Sequence, residues 1–243
     1  MEKRFFIDKS SLNNNTIILT EDEHQHLSKV LRLRVGDSVE CFYDGGPIIN
    51  CTIEQITKNN STLTVNSTTE CVSNPQANIT LFQGLPKLDK LELISQKLTE
   101  IGVTKIIPFS STFCVAKENL NKVERLKKIV VSACKQCGRT LLTKVENPVK
   151  FNEMISMLSN YDLVVFANET ENPENSLSQL FSQKNYKNVA YIVGSEGGFS
   201  KEEIEKLTSQ TNVKSISLGK RILRTETASI TLGGLLAYQL GEI

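Results

Sequence analysis

Hydrophobic positions change their period near residue 75. Up to residue 72 the apolar runs are short and strand-like. SVECFY, IINCTIEQI and STLTVNST are separated by turns at Asp44-Gly45-Gly46 and near Asn59-Asn60. That pattern predicts a β-meander or small barrel over residues 1–72. A short helix is expected before it, through EDEHQHLSKVLRL, opened by a capping box of Thr20 and Glu23. Val72-Ser73-Asn74-Pro75 reads as a linker, because Pro75 disfavours helix at Asn74.

From residue 77 strands and helices alternate. NITLFQG, VTKIIPF, YDLVVFA, NVAYIVG and KSISLG read as strands. Between them, Leu88, Leu91, Ile94, Leu98 and Ile101 recur at helical spacing up to Gly102. Val123, Leu126, Ile129, Val130, Ala133 and Cys137 line a second helix over about 121–139. SKEEIEKL opens on a capping box of Ser200 and Glu203, and TETASITLGGLLAYQL is a closing helix with Thr225 as its expected N-cap. This alternation predicts an α/β domain over 75–243, a mostly parallel sheet with helices on both faces.

Composition changes little in that picture. The 243 residues are 39% hydrophobic and 23% charged, with a net charge of +1, so any pull on nucleic acid must come from local patches. The start, MEKRFFIDKS, has no apolar targeting run, and no stretch approaches the roughly 20 apolar residues of a membrane helix. Six scattered cysteines then read as reduced cytosolic thiols, and the expected location is cytoplasmic. Cys134 and Cys137 fall inside a helix with no second pair and no nearby histidine, which argues for packed thiols; no metal is expected.

Two segments carry candidate chemistry. IVGSEGGFSKEEI leaves a strand through Gly194, Gly197 and Gly198 and enters a helix. A phosphate-cradling P-loop needs Lys and Ser/Thr after its last glycine, but Phe199 and Ser200 follow here. The spacing is not that of a dinucleotide fingerprint, and Glu196 would repel a pyrophosphate. A cationic ligand without phosphates, such as S-adenosylmethionine, suits the charge; a plain strand-to-helix turn suits the loop equally well. SLGKRILRTETASI, residues 217–230, is a second strand-to-helix loop, with Gly219 and the polar cluster Arg224-Thr225-Glu226. Both loops fall at carboxyl ends of strands, on the rim where open α/β sheets bind ligands. A solvated Arg224 and a Glu226 at a helix start would also explain that cluster.

Taken together, the chain resembles the ribosomal RNA small subunit methyltransferase E family, of the SPOUT class. The resemblance rests on RFF, HLSKVLR, GDSVECFYDGG, QGLPKLDKLELISQKLTEIG, ACKQCGR, VGSEGGFSKEE and SLGKRILRTETAS, the last two being highly specific in combination. It implies an N-terminal PUA-like β-barrel, over 1–72, that binds RNA. It implies a SPOUT α/β domain with a deep trefoil knot over 75–243. The implied activity is methyl transfer from S-adenosylmethionine to uridine N3 of 16S rRNA in the assembled small subunit, by a homodimer with no membrane partner. The loops alone do not separate this from ribose 2′-O or guanine methylation. A nonenzymatic RNA-binding protein is a further alternative.

By resemblance, the cofactor-binding residues are Gly194, Ser195, Glu196, Gly197, Gly198, Leu218, Gly219, Ile222, Leu223 and Thr225, with Leu218, Ile222 and Leu223 packing the adenine. Ser195 departs from the proline usual in the family, which leaves the loop freer before binding. Methyl transfer needs an aligned acceptor nitrogen that has lost its proton. Glu196 and Glu226 are candidate bases, and Arg224 is the candidate cation for the developing negative charge. For RNA, residues 117–144 carry eight Lys/Arg against two acids, while residues 1–73 carry seven against ten. Arg125, Lys128, Lys135 and Arg139 are expected on one helix stripe. Arg4, His26, Lys29 and Arg32 are expected on the N-terminal domain, and Lys87, Lys90 and Lys97 on the first long helix. A merely solvated face is the plainer reading of such charges.

Overall fold

The structure is a computed structural model that describes residues 3–13, 15–86, 88–115, 121–168, 177–181 and 186–243. It divides into two compact units, Met1–Asn74 with Cys134–Leu142, and Pro75–Ala133 with Thr143–Ile243. A division of the chain at one linker therefore leaves out a segment: Cys134–Leu142 joins the first unit.

In the first unit the strands are β1 (Arg4–Phe6), β2 (Leu12–Asn13), β3 (Thr16–Leu19), β4 (Ser38–Phe42), β5 (Ile48–Ile56) and β6 (Ser61–Thr69). Its described residues form one sheet in the order β1-β4-β5-β6-β3-β2. Alternate residues of these strands, among them Phe5, Ile17, Val39, Cys41, Ile49, Cys51, Ile53 and Leu63, fill the core. That is the period-two burial of a half-exposed sheet. β1 and β3 were not read from sequence as strands of this sheet. β1 pairs parallel to β4, which joins the sheet from a distant start. The helix α1 (Glu21–Gln25) is shorter than expected and runs into a wide turn over His26–Val30, where Leu31 N–H donates to His26 O at 2.9 Å. Thr20 stands at its N-cap without a side-chain cap bond, so the expected box does not form. Glu23 is instead ion-paired to Lys135.

The second unit contains β7 (Asn78–Gly84), α2 (Leu88–Ile101), β8 (Lys105–Ser110), α3 (Asn121–Cys137), β9 (Lys144–Val145), β10 (Val149–Lys150), α4 (Phe151–Met157), β11 (Leu163–Ala167), α5 (Leu177–Phe181), β12 (Asn188–Val193), α6 (Lys201–Thr208), β13 (Val213–Ile216) and α7 (Thr225–Gln239); α3 continues from this unit into the first. Every described pairing in its sheet is parallel, in the order β10-β8-β7-β12-β11-β13 with β9 also on β8. The central strands are buried on both faces, as parallel sheets require. One face packs Ile79, Leu81, Val165 and Tyr191 on α2 and α7. The other packs Phe82, Phe109, Phe166 and Ile192 on α4 and α6. The alternating α/β architecture is thus present, with helices on both faces.

Candidate functional site

Parallel strands bring their carboxyl ends to one edge. Val193 of β12 lies in register with Gln83 of β7, Ile192 with Phe166 of β11, and Ala167 with Ile216 of β13. The two glycine-bearing loops leave from this edge. The first is fixed at its far end by Phe199. Its ring stacks on Phe109 at 6.0 Å and meets Phe166 edge-on at 5.2 Å. Ser200 and Glu203 then form the expected capping box of α6, and Glu203 Oε1 also accepts from Thr112 N–H at 2.9 Å.

At its near end the loop crosses Gly84 so closely that a Cβ there would sit 2.4 Å from Ser195 N. Gln83, which the sequence did not single out, ties the edge together. Its Nε2 donates to Gly84 O at 2.9 Å and to Thr225 Oγ1 at 2.9 Å, and Thr225 Oγ1 donates to Gly194 O at 2.6 Å. Ser229 Oγ closes the network by donating to Gln83 Oε1. Thr225 is therefore not the N-cap of α7. Arg224 holds that position, and the threonine hydroxyl is spent on the β12 loop.

Lys90 of α2 supplies the charge for the site. Its Nζ lies 2.9 Å from Glu196 Oε1 and 3.3 Å from Glu226 Oε2. The Glu196 carboxylate, foremost, holds the Lys90 ammonium above its ordinary pKa. The trio has one net negative charge. Around it lies a cleft of about 570 Å³ lined by Lys90, residues 193–199 and residues 218–225, together with Ala167, Asn168, Ile204 and Ala228. All the expected cofactor-binding residues line this one cleft. Leu218 and Leu223 also pack on the core beneath, while Ile222 is 83% exposed. Gly198 and Gly219 have φ of +67° and +100°, a backbone that favours glycine. Ser195 is 7% exposed, and among the described residues its Oγ has no hydrogen-bond partner.

The expected RNA-binding residues scatter. Lys87 lies outside the described residues. Lys90 belongs to the cleft. Lys97 pairs with Glu100 at 3.0 Å, and Arg125 with Glu92 at 2.9 Å. Lys29, Arg32 and Lys128 are exposed, and His26 is half-buried with its ring edge-on to Phe5. Two expectations are corrected. Arg4, 4% exposed, lies under the surface, with Nη1 donating to Cys134 O at 3.3 Å and its guanidinium over the Phe42 ring. Arg139 is 2% exposed because α3 stops at Cys137 and Gly138, at φ +88°, turns the chain inward. Burial pulls its guanidinium pKa down. A continuous stripe on α3 therefore does not form.

Both loops of this edge lie within a span that a known family matches. The RNA methyltransferase domain family matches residues 72–237, and the RNA methyltransferase PUA domain family matches residues 19–66. The ribosomal RNA small subunit methyltransferase E of Rickettsia conorii is 36% identical, over 94% of this chain and 92% of its own. The chain belongs to the ribosomal RNA small subunit methyltransferase E family. The member from Bacillus subtilis is 31% identical, over 98% of this chain and 96% of its own. The solved structure of the family's Neisseria gonorrhoeae enzyme bound to S-adenosyl methionine matches with a TM-score of 0.85 and 25% identity, covering 98% of each chain.

Proposed function

We propose that this protein transfers a methyl group from S-adenosylmethionine to N3 of a uridine in 16S rRNA of the small ribosomal subunit. The observation that carries the reading is the convergence of the Gly194–Gly198 and Leu218–Thr225 loops on one cleft, in a chain of this family. The residues present fit the cofactor. The glycine loop offers main-chain groups and a buried, unpartnered Ser195 hydroxyl. Leu218, Ile222 and Leu223 offer apolar contacts for adenine. The Lys90–Glu196–Glu226 trio, one charge negative, suits a sulfonium and an ammonium. When bound, S-adenosylmethionine supplies an electrophilic methyl group.

The chain's own residues do the rest. The cleft orients the uracil, which brings the acceptor nitrogen into line. Arg224, exposed beside the cleft, stabilises negative charge on the uracil oxygens as the N3 proton is lost. Glu196 and Glu226 are the candidate proton acceptors, and Lys90 holds both. On this reading the first unit is a PUA-like barrel that meets RNA through Lys29 and Arg32. The second is a SPOUT domain knotted at the two loops. The enzyme works in the cytoplasm as a homodimer, a reading supported by the exposed Leu93, Leu235 and Tyr238 on the packed helices α2 and α7. Among the described residues no helix is long and apolar enough to cross a membrane.

Mass mapping of 16S rRNA from cells lacking the gene tests the reading. The expected result is loss of one N3-methyluridine; an unchanged modification profile would refute it. Calorimetric titration with S-adenosylmethionine tests the cofactor independently.

A further inference from the structure

We propose that Lys220 and Arg221 form a phosphate-docking edge that seats the substrate RNA backbone at the mouth of the cleft. The inference rests on the rRNA methyltransferase reading of this cleft and names how it would hold its substrate.

Lys220, Arg221 and Arg224 fall within five residues of one loop, and all three line the cleft. They are exposed. Among the described residues none of the three side chains has a hydrogen-bond or ion-pair partner. The nearest carboxylate in sequence, Glu226, is taken by Lys90 at 3.3 Å. This separates the loop from five of the chain's other basic candidates. Lys97 and Arg125 are neutralised by Glu100 and Glu92, Lys135 is paired to Glu23, and Arg4 and Arg139 are buried.

The loop is also held. Leu218 and Leu223 pack on the core on either side of the cations, and Gly219 N–H donates to Ser217 Oγ at 3.2 Å. The backbone turns at Gly219, where φ is +100°. Lys220 and Arg221 therefore stand outward from an anchored turn, at low ordering cost on binding. Unneutralised cations on a fixed edge suit phosphates spaced along a single strand, and arginine adds a two-pronged donor. Against the one negative charge of the Lys90–Glu196–Glu226 trio, Lys220, Arg221 and Arg224 set three positive charges on this loop. A polyanion is thus drawn to the rim while the neutral base enters.

The test uses the full-length chain and small ribosomal subunits from cells that lack this methylation. Affinity is measured across about 0.05 to 0.3 M KCl for wild type and for the Lys220→Ala/Arg221→Ala variant. Losing two contacts to single-stranded RNA should make the slope of log affinity against log salt shallower by about 1.4. The Michaelis constant for subunits should rise, and the Lys220→Glu/Arg221→Glu variant should bind more weakly still. Calorimetric affinity for S-adenosylmethionine should stay within about twofold of wild type, which also shows that the variants fold. An unchanged salt slope would overturn the proposal. So would a parallel loss of cofactor affinity, which would assign the cations to the cofactor's carboxylate. Failure of the wild-type chain itself to bind cofactor and subunits would instead refute the underlying reading of the cleft, and this proposal with it.

Discussion

Lys90→Met probes how the cleft is held. The ammonium joins α2 to the β12 loop through Glu196 at 2.9 Å and to α7 through Glu226 at 3.3 Å. Methionine keeps most of the apolar stem, so the substitution mainly removes charge. The two Lys90 contacts put these carboxylate oxygens at most about 6 Å apart, where like charges repel by at least about 0.7 kcal/mol in bulk water and about 3 kcal/mol at an effective dielectric constant of 20. The Glu226 side chain is 15% exposed and Glu196 39%, so solvent screens one side of the pair. The expected cost is about 1–2 kcal/mol in urea unfolding at neutral pH, between surface and buried ion pairs.

A double-mutant cycle with Glu226→Gln should give a coupling of at least about 0.5 kcal/mol. The pH dependence has a fixed sign. Lys90 has a pKa raised above its ordinary 10.5. Such a cation gives stability that is complete below the unfolded-state value and is lost as pH climbs through the folded one. The variant's deficit should therefore be flat between about pH 7 and pH 10 and shrink only at higher pH. A variant as stable as wild type at neutral pH, with no coupling to Glu226, would refute the claim that this bridge holds the loops together.

Gly84→Ala places a Cβ 2.4 Å from Ser195 N and 2.8 Å from Gly194 C, both backbone atoms, so the loop must shift. A loss of about 1–3 kcal/mol and a weaker calorimetric affinity for S-adenosylmethionine are expected, and wild-type values for both would contradict the packing. Ser195→Ala removes a buried hydroxyl that has no partner among the described residues. The free protein should be as stable or more so by thermal denaturation, while cofactor affinity falls by about 0.5–1.5 kcal/mol. A destabilised protein with unchanged affinity would reverse that assignment. Arg224→Ala should keep calorimetric cofactor binding and lose about a hundredfold or more in methylation rate, and near-normal turnover would exclude the role given to it.

Elements in both units were legible where their signals are local. NITLFQG and IINCTIEQI coincide with β7 and β5 residue for residue. The Ser200–Glu203 box forms as read, since both partners lie within one turn. The misreadings share a different cause: a tertiary partner outbids the local one. Thr225 has the chemistry of an N-cap, yet Gly194 O claims its hydroxyl. Glu23 is placed for a capping box, yet Lys135, distant in sequence, takes it. Arg139 continues a helical stripe on paper, but the chain has already turned at Gly138. Gln83 carried no signal at all. A glutamine at the end of an apolar strand becomes informative only when register sets it beside Val193 and α7 lies across both. Lys90 resembled Lys97 of the same helix, and only its position opposite two glutamates distinguishes it.

The bridge also bears on how the uracil proton is lost. Glu196 and Glu226 each spend a carboxylate oxygen on Lys90, so both have a structural task apart from any part in proton transfer. The cations at the rim have no such partner among the described residues. They can lower the energy of the uracil anion directly, whatever accepts the proton. Glu196 in the glycine loop then has a structural reason: through Lys90 it fastens the loop to α2 and α7. The division of labour places binding charge inside the cleft and anion stabilisation at its edge. If it holds, Glu226→Gln should lose stability and cofactor affinity together while the pH–rate profile keeps its wild-type shape. A shifted acidic limb in that profile would restore the glutamate as the base.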